Sequence, residues 1–112
     1  HPVGDRVLQH FAAGLQGLVR DTDLVFRWGG EEFLILLPHT APSEGPPMAD
    51  RIRERVAEDF VLHRDGREPV CLTVSVGVAA AAIPPEFPDT LIARADAAAY
   101  RAKEAGRNRV SG

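Results

Sequence analysis

Two glycines, Gly29 and Gly30, stand between two β-rich runs. Leu24-Val25-Phe26-Arg27-Trp28 precedes them, and Glu31-Glu32-Phe33-Leu34-Ile35-Leu36-Leu37 follows. Two such runs around a glycine pair predict a β-hairpin. The second run is apolar without alternation, which predicts cover on both of its faces.

Val7, Leu8, Phe11, Leu15, Leu18 and Val19 recur at three- and four-residue steps and predict a helix over residues 4–19. Asp5 lies at its start, where a carboxylate suits free N–H groups. Residues 38–47 hold four prolines and read as a loop. Met48, Ile52, Val56 and Phe60 mark a second helix, with Pro47 in its first turn. Arg64-Asp65-Gly66-Arg67 carries an Asp-Gly turn signal for a small hairpin. Residues 70–78 alternate cleanly and predict one strand, with Val70, Leu72, Val74, Val76 and Val78 on one face. Residues 79–88 read as a loop. Asp89 or Thr90 would cap a third helix running to Ala105, with Leu91, Ile92, Ala95, Ala99 and Ala102 inward and Gly106 as its stop. Helices and strands interleave, so the class is α+β or α/β with helices packed on a sheet.

Composition narrows the function. A length of 112 residues allows one domain. A net charge of -3 disfavours a general nucleic-acid coat or an anionic-membrane binder. No apolar run approaches the ~20 residues needed to span a bilayer, and no signal peptide opens the chain. The single cysteine, Cys71, fits a reducing cytosol and reads as a buried structural thiol. The chain opens on His1, which marks it as a processed or partial sequence. Its basic residues are nearly all Arg, so the lone lysine, Lys103, stands out.

The densest site candidate is Arg27-Trp28-Gly29-Gly30-Glu31-Glu32-Phe33. Glycines in a turn let backbone approach a ligand, because no Cβ intervenes. Carboxylates at successive strand positions point to opposite faces, and beside an exposed turn they suit a hard divalent cation bound with phosphates. A solvated turn with surface glutamates is the plain alternative. Trp28 reads as a packing residue. Lys103 and Arg107 lie four apart at a helix end, which puts them on one side, and a phosphate suits both an ammonium and a guanidinium. The alternative there is a pair of cations facing the helix macrodipole. His10, His39 and His63 read as surface residues without metal-ligand spacing.

Around the glycine pair the sequence resembles the GGDEF family, the diguanylate cyclases, in its Gly-Gly-Glu-Glu-Phe form. His1-Pro2-Val3-Gly4-Asp5 is similar to the end of the family's Gly-His-x-x-Gly-Asp segment. Asp23, Arg27 and Trp28 fall in its Asp-x-x-x-Arg-aromatic-Gly-Gly register. Thr73-Val74-Ser75-Val76-Gly77-Val78 resembles its Thr-x-Ser-x-Gly strand. The stretch from Ala95-Asp96 through Tyr100 and Lys103 to Gly106-Arg107-Asn108 resembles its closing segment. These four ordered motifs cover nearly the whole chain.

The resemblance implies a palm-like, ferredoxin-like sheet carrying helices and a reaction joining two GTP molecules into cyclic di-GMP with release of pyrophosphate. It implies that Glu31 ligates Mg2+ or Mn2+ on the GTP phosphates and that Glu32 completes the acidic turn. Gly29 and Gly30 would admit the phosphates, Asp5 would bond the guanine edge or merely cap its helix, and Lys103 and Arg107 would hold the terminal phosphates. Arg20-x-x-Asp23, with Arg51 from the next helix, would form an inhibitory site for the product, although an isolated Arg-x-x-Asp is often a surface ion pair. The family works as a cytoplasmic homodimer, each domain holding one GTP, with no nucleic-acid polymer and no direct membrane contact. The resemblance also implies that residues 1–112 form part of the domain. The family's first strand and its metal-binding aspartate would precede His1, and this stretch alone would then be inactive. A module that binds GTP or cyclic di-GMP without cyclising is the alternative from another class.

Overall fold

The computed structural model describes residues 4–63, 65–81 and 87–112. His1, Pro2 and Val3 of the opening motif, Arg64 of the small turn and residues 82–86 of the expected loop lie outside the described residues. The chain divides into two compact units, one ending at Thr40 and one beginning at Ala41.

In the first unit, helix α1 spans Asp5–Gln16 and buries Leu8, Phe11 and Leu15 at helical spacing. Gly4 is its N-cap and no side chain caps it, so Asp5 does not act as the cap. The helix ends at Gly17 rather than continuing to residue 19, and Leu18 and Val19 are only half-buried. Strands β1, Leu24–Gly29, and β2, Glu32–Leu36, form the expected antiparallel hairpin. The Phe11 ring meets Phe33 of β2 with centroids 5.4 Å apart and planes tilted by 51°, a favourable aromatic geometry that fastens helix to hairpin.

On β2, Phe33, Leu34 and Ile35 are half-buried and Leu36 is exposed, so the cover expected on both faces of the second run is partial. Leu24, Phe26 and Trp28 on β1 are exposed. Trp28 is 57% exposed, so it does not pack as expected.

The second unit opens with a 3-10 turn, Pro42–Glu44, leading into α2, Gly45–Asp59. Gly45, Ala49, Ile52 and Val56 form the buried stripe of α2. Helix α3 spans Pro88–Glu104, with Phe87 rather than Asp89 or Thr90 at its N-cap and no side-chain cap bond. Ala98 and Ala102 are fully buried on α3.

Among the described residues, four short strands complete this unit. β3, Val61–Leu62, pairs antiparallel with β4, Val70–Cys71. β5, Val76–Gly77, pairs parallel with β6, Val110–Ser111. The expected continuous strand over 70–78 is therefore broken. Its two ends join different partners, and Leu72 instead donates its backbone N–H to Phe60 at 3.0 Å. Cys71 is exposed, contrary to the expected buried thiol.

Gly77 is fixed by packing rather than by turn geometry. A Cβ there would overlap the Ala95 carbonyl oxygen and the Ala99 amide nitrogen of α3. The missing side chain lets β5 and α3 approach closely, with alanines on the facing side of the helix.

Candidate functional site

The glycine turn is the tip of the β1–β2 hairpin. Gly29 pairs with Glu32, so Gly30 and Glu31 form a two-residue link. Gly30 has φ +51°, the left-handed region that favours glycine, as such links require. The register slips between Arg27 and Gly29, which leaves Trp28 as an extra residue and bulges the strand just before the turn.

Glu31 sits in the turn and Glu32 begins β2, so the two carboxylates are not successive strand residues as expected. Gly29, Gly30, Glu31 and Glu32 are all exposed. Among the described residues no group of three or more His, Cys, Asp or Glu gathers. Two exposed carboxylates beside a backbone turn are the kind of oxygen donors that a hard cation shares with water and substrate phosphates.

Arg27 ties this tip to the start of α1. Its Nε donates to the Gly30 carbonyl oxygen at 3.1 Å. Its Nη1 donates to Asp5 Oδ1, also at 3.1 Å. One guanidinium thus brings Asp5 to the glycine turn. In the sequence, Arg27 stands out only as a mark of the motif register. The signal was its place in that register, but the bond spans 22 residues of sequence.

Arg20 and Asp23 are also brought together. Asp23 is fully buried. Its Oδ2 accepts from the Arg20 backbone N–H at 2.9 Å and from Arg20 Nε at 3.2 Å, while Nη2 reaches Oδ1 at 3.4 Å. Burial pushes the Asp23 carboxyl up, but the Arg20 hydrogen bonds and charge outweigh it and hold the group below its ordinary value. Arg20 Nη2 also bonds Thr40 Oγ1.

In the second unit, Arg51 is exposed on α2. Lys103 and Arg107 are exposed as well, but they do not share a helix face. α3 ends at Glu104, before Arg107. The Gly106 N–H bonds the Lys103 carbonyl at 3.3 Å and the Arg107 N–H bonds the Ala102 carbonyl at 3.0 Å. That is a Schellman stop with Gly106 at φ +126°. Arg107 is therefore placed by the turn, at φ +62°, and not by the helix spacing expected for this pair.

Sequence and structure comparisons add relatives. Residues 1–109 match the family model described as "Diguanylate cyclase, GGDEF domain". The chain belongs to the GGDEF family. The response regulator PleD of Caulobacter vibrioides is 43% identical over 112 residues, covering 100% of this GGDEF chain and 25% of the relative. Diguanylate cyclase DgcM of Escherichia coli is 46% identical over 112 residues, with 98% and 25% covered. The crystal structure of the GGDEF domain of DgcB from Caulobacter crescentus in complex with c-di-GMP superposes with a TM-score of 0.81 at 33% identity, covering 96% of this chain and 63% of that one. The chain spans about a quarter of the length of these curated relatives. The GGDEF assignment agrees with the α+β class. Among the described residues no helix is long and apolar enough to cross a membrane.

Proposed function

We propose that the full-length protein carrying this chain condenses two GTP molecules into cyclic di-GMP and pyrophosphate. The observation that carries this reading is the exposed Gly29-Gly30-Glu31-Glu32 tip, locked to Asp5 through Arg27, in a chain that matches the diguanylate cyclase family over residues 1–109.

The roles are those that the family resemblance implies, and each suits the chemistry of its side chain. Gly29 and Gly30 leave room for phosphates against the backbone. Asp5 accepts hydrogen bonds from the guanine edge, which offers N–H donors that adenine lacks there. Lys103 and Arg107 hold the terminal phosphates. Glu31 would hold a Mg2+ or Mn2+ ion with those phosphates, and Glu32 adds negative charge beside it. When bound, the ion neutralises charge at the α-phosphate and favours ionisation of the attacking 3′-hydroxyl. Each 3′-hydroxyl gives up its proton to water as its oxygen bonds the α-phosphorus of the other GTP, the α–β phosphoanhydride bond breaks and pyrophosphate leaves; two chains facing each other as a homodimer would supply the two GTP molecules, and the family resemblance puts that reaction in the cytoplasm.

Arg20, Asp23 and Arg51 are proposed to bind the product and restrain the reaction. Because Asp23 is buried, its part is to hold Arg20 in place, and the guanidinium is what meets the ligand.

The test is to incubate the full-length protein with GTP and Mg2+ and to separate the products. Cyclic di-GMP with two equivalents of pyrophosphate is the expected result. GTP binding without turnover would favour the non-cyclising module.

A further inference from the structure

We propose that Arg53 is a positioning residue for the phosphate-binding end of α3, acting through Asn108. The proposal rests on the reading of Lys103 and Arg107 as phosphate contacts.

Arg107 and Asn108 are two successive non-glycine residues in the left-handed region, at φ +62° and +45°. Such residues are uncommon and persist where the surroundings over-determine them. Several contacts do so here. The Schellman bond fixes the Arg107 N–H on the Ala102 carbonyl. Arg109 Nε donates to the Arg107 carbonyl oxygen at 3.1 Å. The Arg109 carbonyl then accepts from the Val76 N–H at 3.0 Å, which anchors the exit into β6. The Asn108 side chain is gripped from α2, where Arg53 Nη1 donates to its Oδ1 at 3.1 Å.

Arg53 is built for that grip. Its side chain is 18% exposed, far less than the other ion-paired arginines. Nε donates to Asp50 Oδ1 at 2.7 Å, and Nη2 lies 3.6 Å from Glu54 Oε1. These neighbours hold the planar fork still and leave Nη1 for Asn108. The Asp50 hydrogen bond, with the charges of Asp50 and Glu54, keeps the guanidinium firmly charged. Arg107 precedes Asn108 directly, so holding Asn108 holds the backbone that presents the Arg107 side chain. A cation held before the phosphate arrives loses less freedom on binding.

The experiment measures affinity for a non-hydrolysable GTP analogue and for GMP by calorimetry on the full-length protein. Arg53→Ala is expected to weaken the GTP analogue about fivefold and to leave GMP unchanged, since only the terminal phosphates need this turn. Arg53→Lys keeps the charge beside Asp50 and loses the arm to Asn108; it is expected to show the same loss of discrimination in a folded protein. The pair Arg53→Ala with Asn108→Ala is expected to bind no more weakly than Asn108→Ala alone. Equal losses for GTP analogue and GMP, or independent effects of the two substitutions, would overturn the proposal. Arg107→Ala separates the two readings. If it leaves analogue binding unchanged, the phosphate reading fails and the proposal falls with it. If it weakens binding while Arg53→Lys does not, the positioning role alone is wrong.

Discussion

The buried carboxylate of Asp23 is clasped by Arg20, three residues earlier, through a backbone N–H and two guanidinium nitrogens. The clasp closes the turn between α1 and β1, and Gln16 Nε2 reinforces it by donating to the Asp23 carbonyl at 3.2 Å. A carboxyl held below its ordinary value of 3.8 binds protons more readily in the unfolded chain. Its stabilisation is therefore complete above that pH and is lost as pH falls through the folded value. Asp50 behaves alike, held low by its hydrogen bond from Arg53. Stability is expected to hold near neutrality and to fall below pH 3.8. Asp23→Asn is expected to lower the thermal midpoint by roughly 5 °C and to flatten that acid slope. Urea midpoints across a pH series check it; an unaltered slope would remove Asp23 from the account.

Gly77→Ala is expected to cost about 3 kcal/mol, the upper end of overpacking effects, because the added methyl meets helix backbone rather than a movable side chain. Chemical denaturation measures this. A cost under about 1 kcal/mol would mean that β5 and α3 separate easily.

The contrast between Gly77 and the glycine pair shows what the sequence could reveal. Gly29-Gly30 was legible because a hairpin is local and its turn geometry leaves a residue signature. Leu8, Phe11 and Leu15, or Ala49, Ile52 and Val56, were legible through helical period. The break in residues 70–78 was not. Val70 and Val76 alternate in one pattern, yet their partners, Leu62 and Val110, lie on different elements, and ladder pairing is decided by distant chain. β6 is two residues long and carries no period. The bonds from Arg27 to Asp5 and from Arg53 to Asn108 span 22 and 55 residues. Within the candidate site, the residue types and the Arg20–Asp23 pair were legible through the family motifs, and the bonds that Arg27 and Arg53 make across the sequence were not.

Arg27→Ala removes both arms of the clamp on Gly30 and Asp5. The Asp5 pair is exposed, with side chains 39% and 81% accessible, so stability is expected to drop by less than about 1 kcal/mol. Catalytic efficiency for GTP is expected to fall about tenfold, as the turn and the base contact lose their common anchor. A large stability loss with unchanged kinetics would contradict this.

Lys103→Ala is expected to raise the KM for GTP about tenfold, the worth of one charge-assisted phosphate contact. Raising the salt concentration is expected to weaken the wild-type protein more than the variant. Steady-state kinetics at two ionic strengths measure both, and equal salt sensitivity would place Lys103 away from phosphate.

Glu31 is the carboxylate on which the proposed cyclisation depends most. The rate of cyclic di-GMP formation from GTP and Mg2+ should be compared between the full-length protein and its Glu31→Gln variant, with folding verified. Turnover is expected to fall roughly a hundredfold or more, because the substitution keeps the shape of the exposed turn and removes the charge proposed to hold the metal. Equal rates in the two proteins would contradict it.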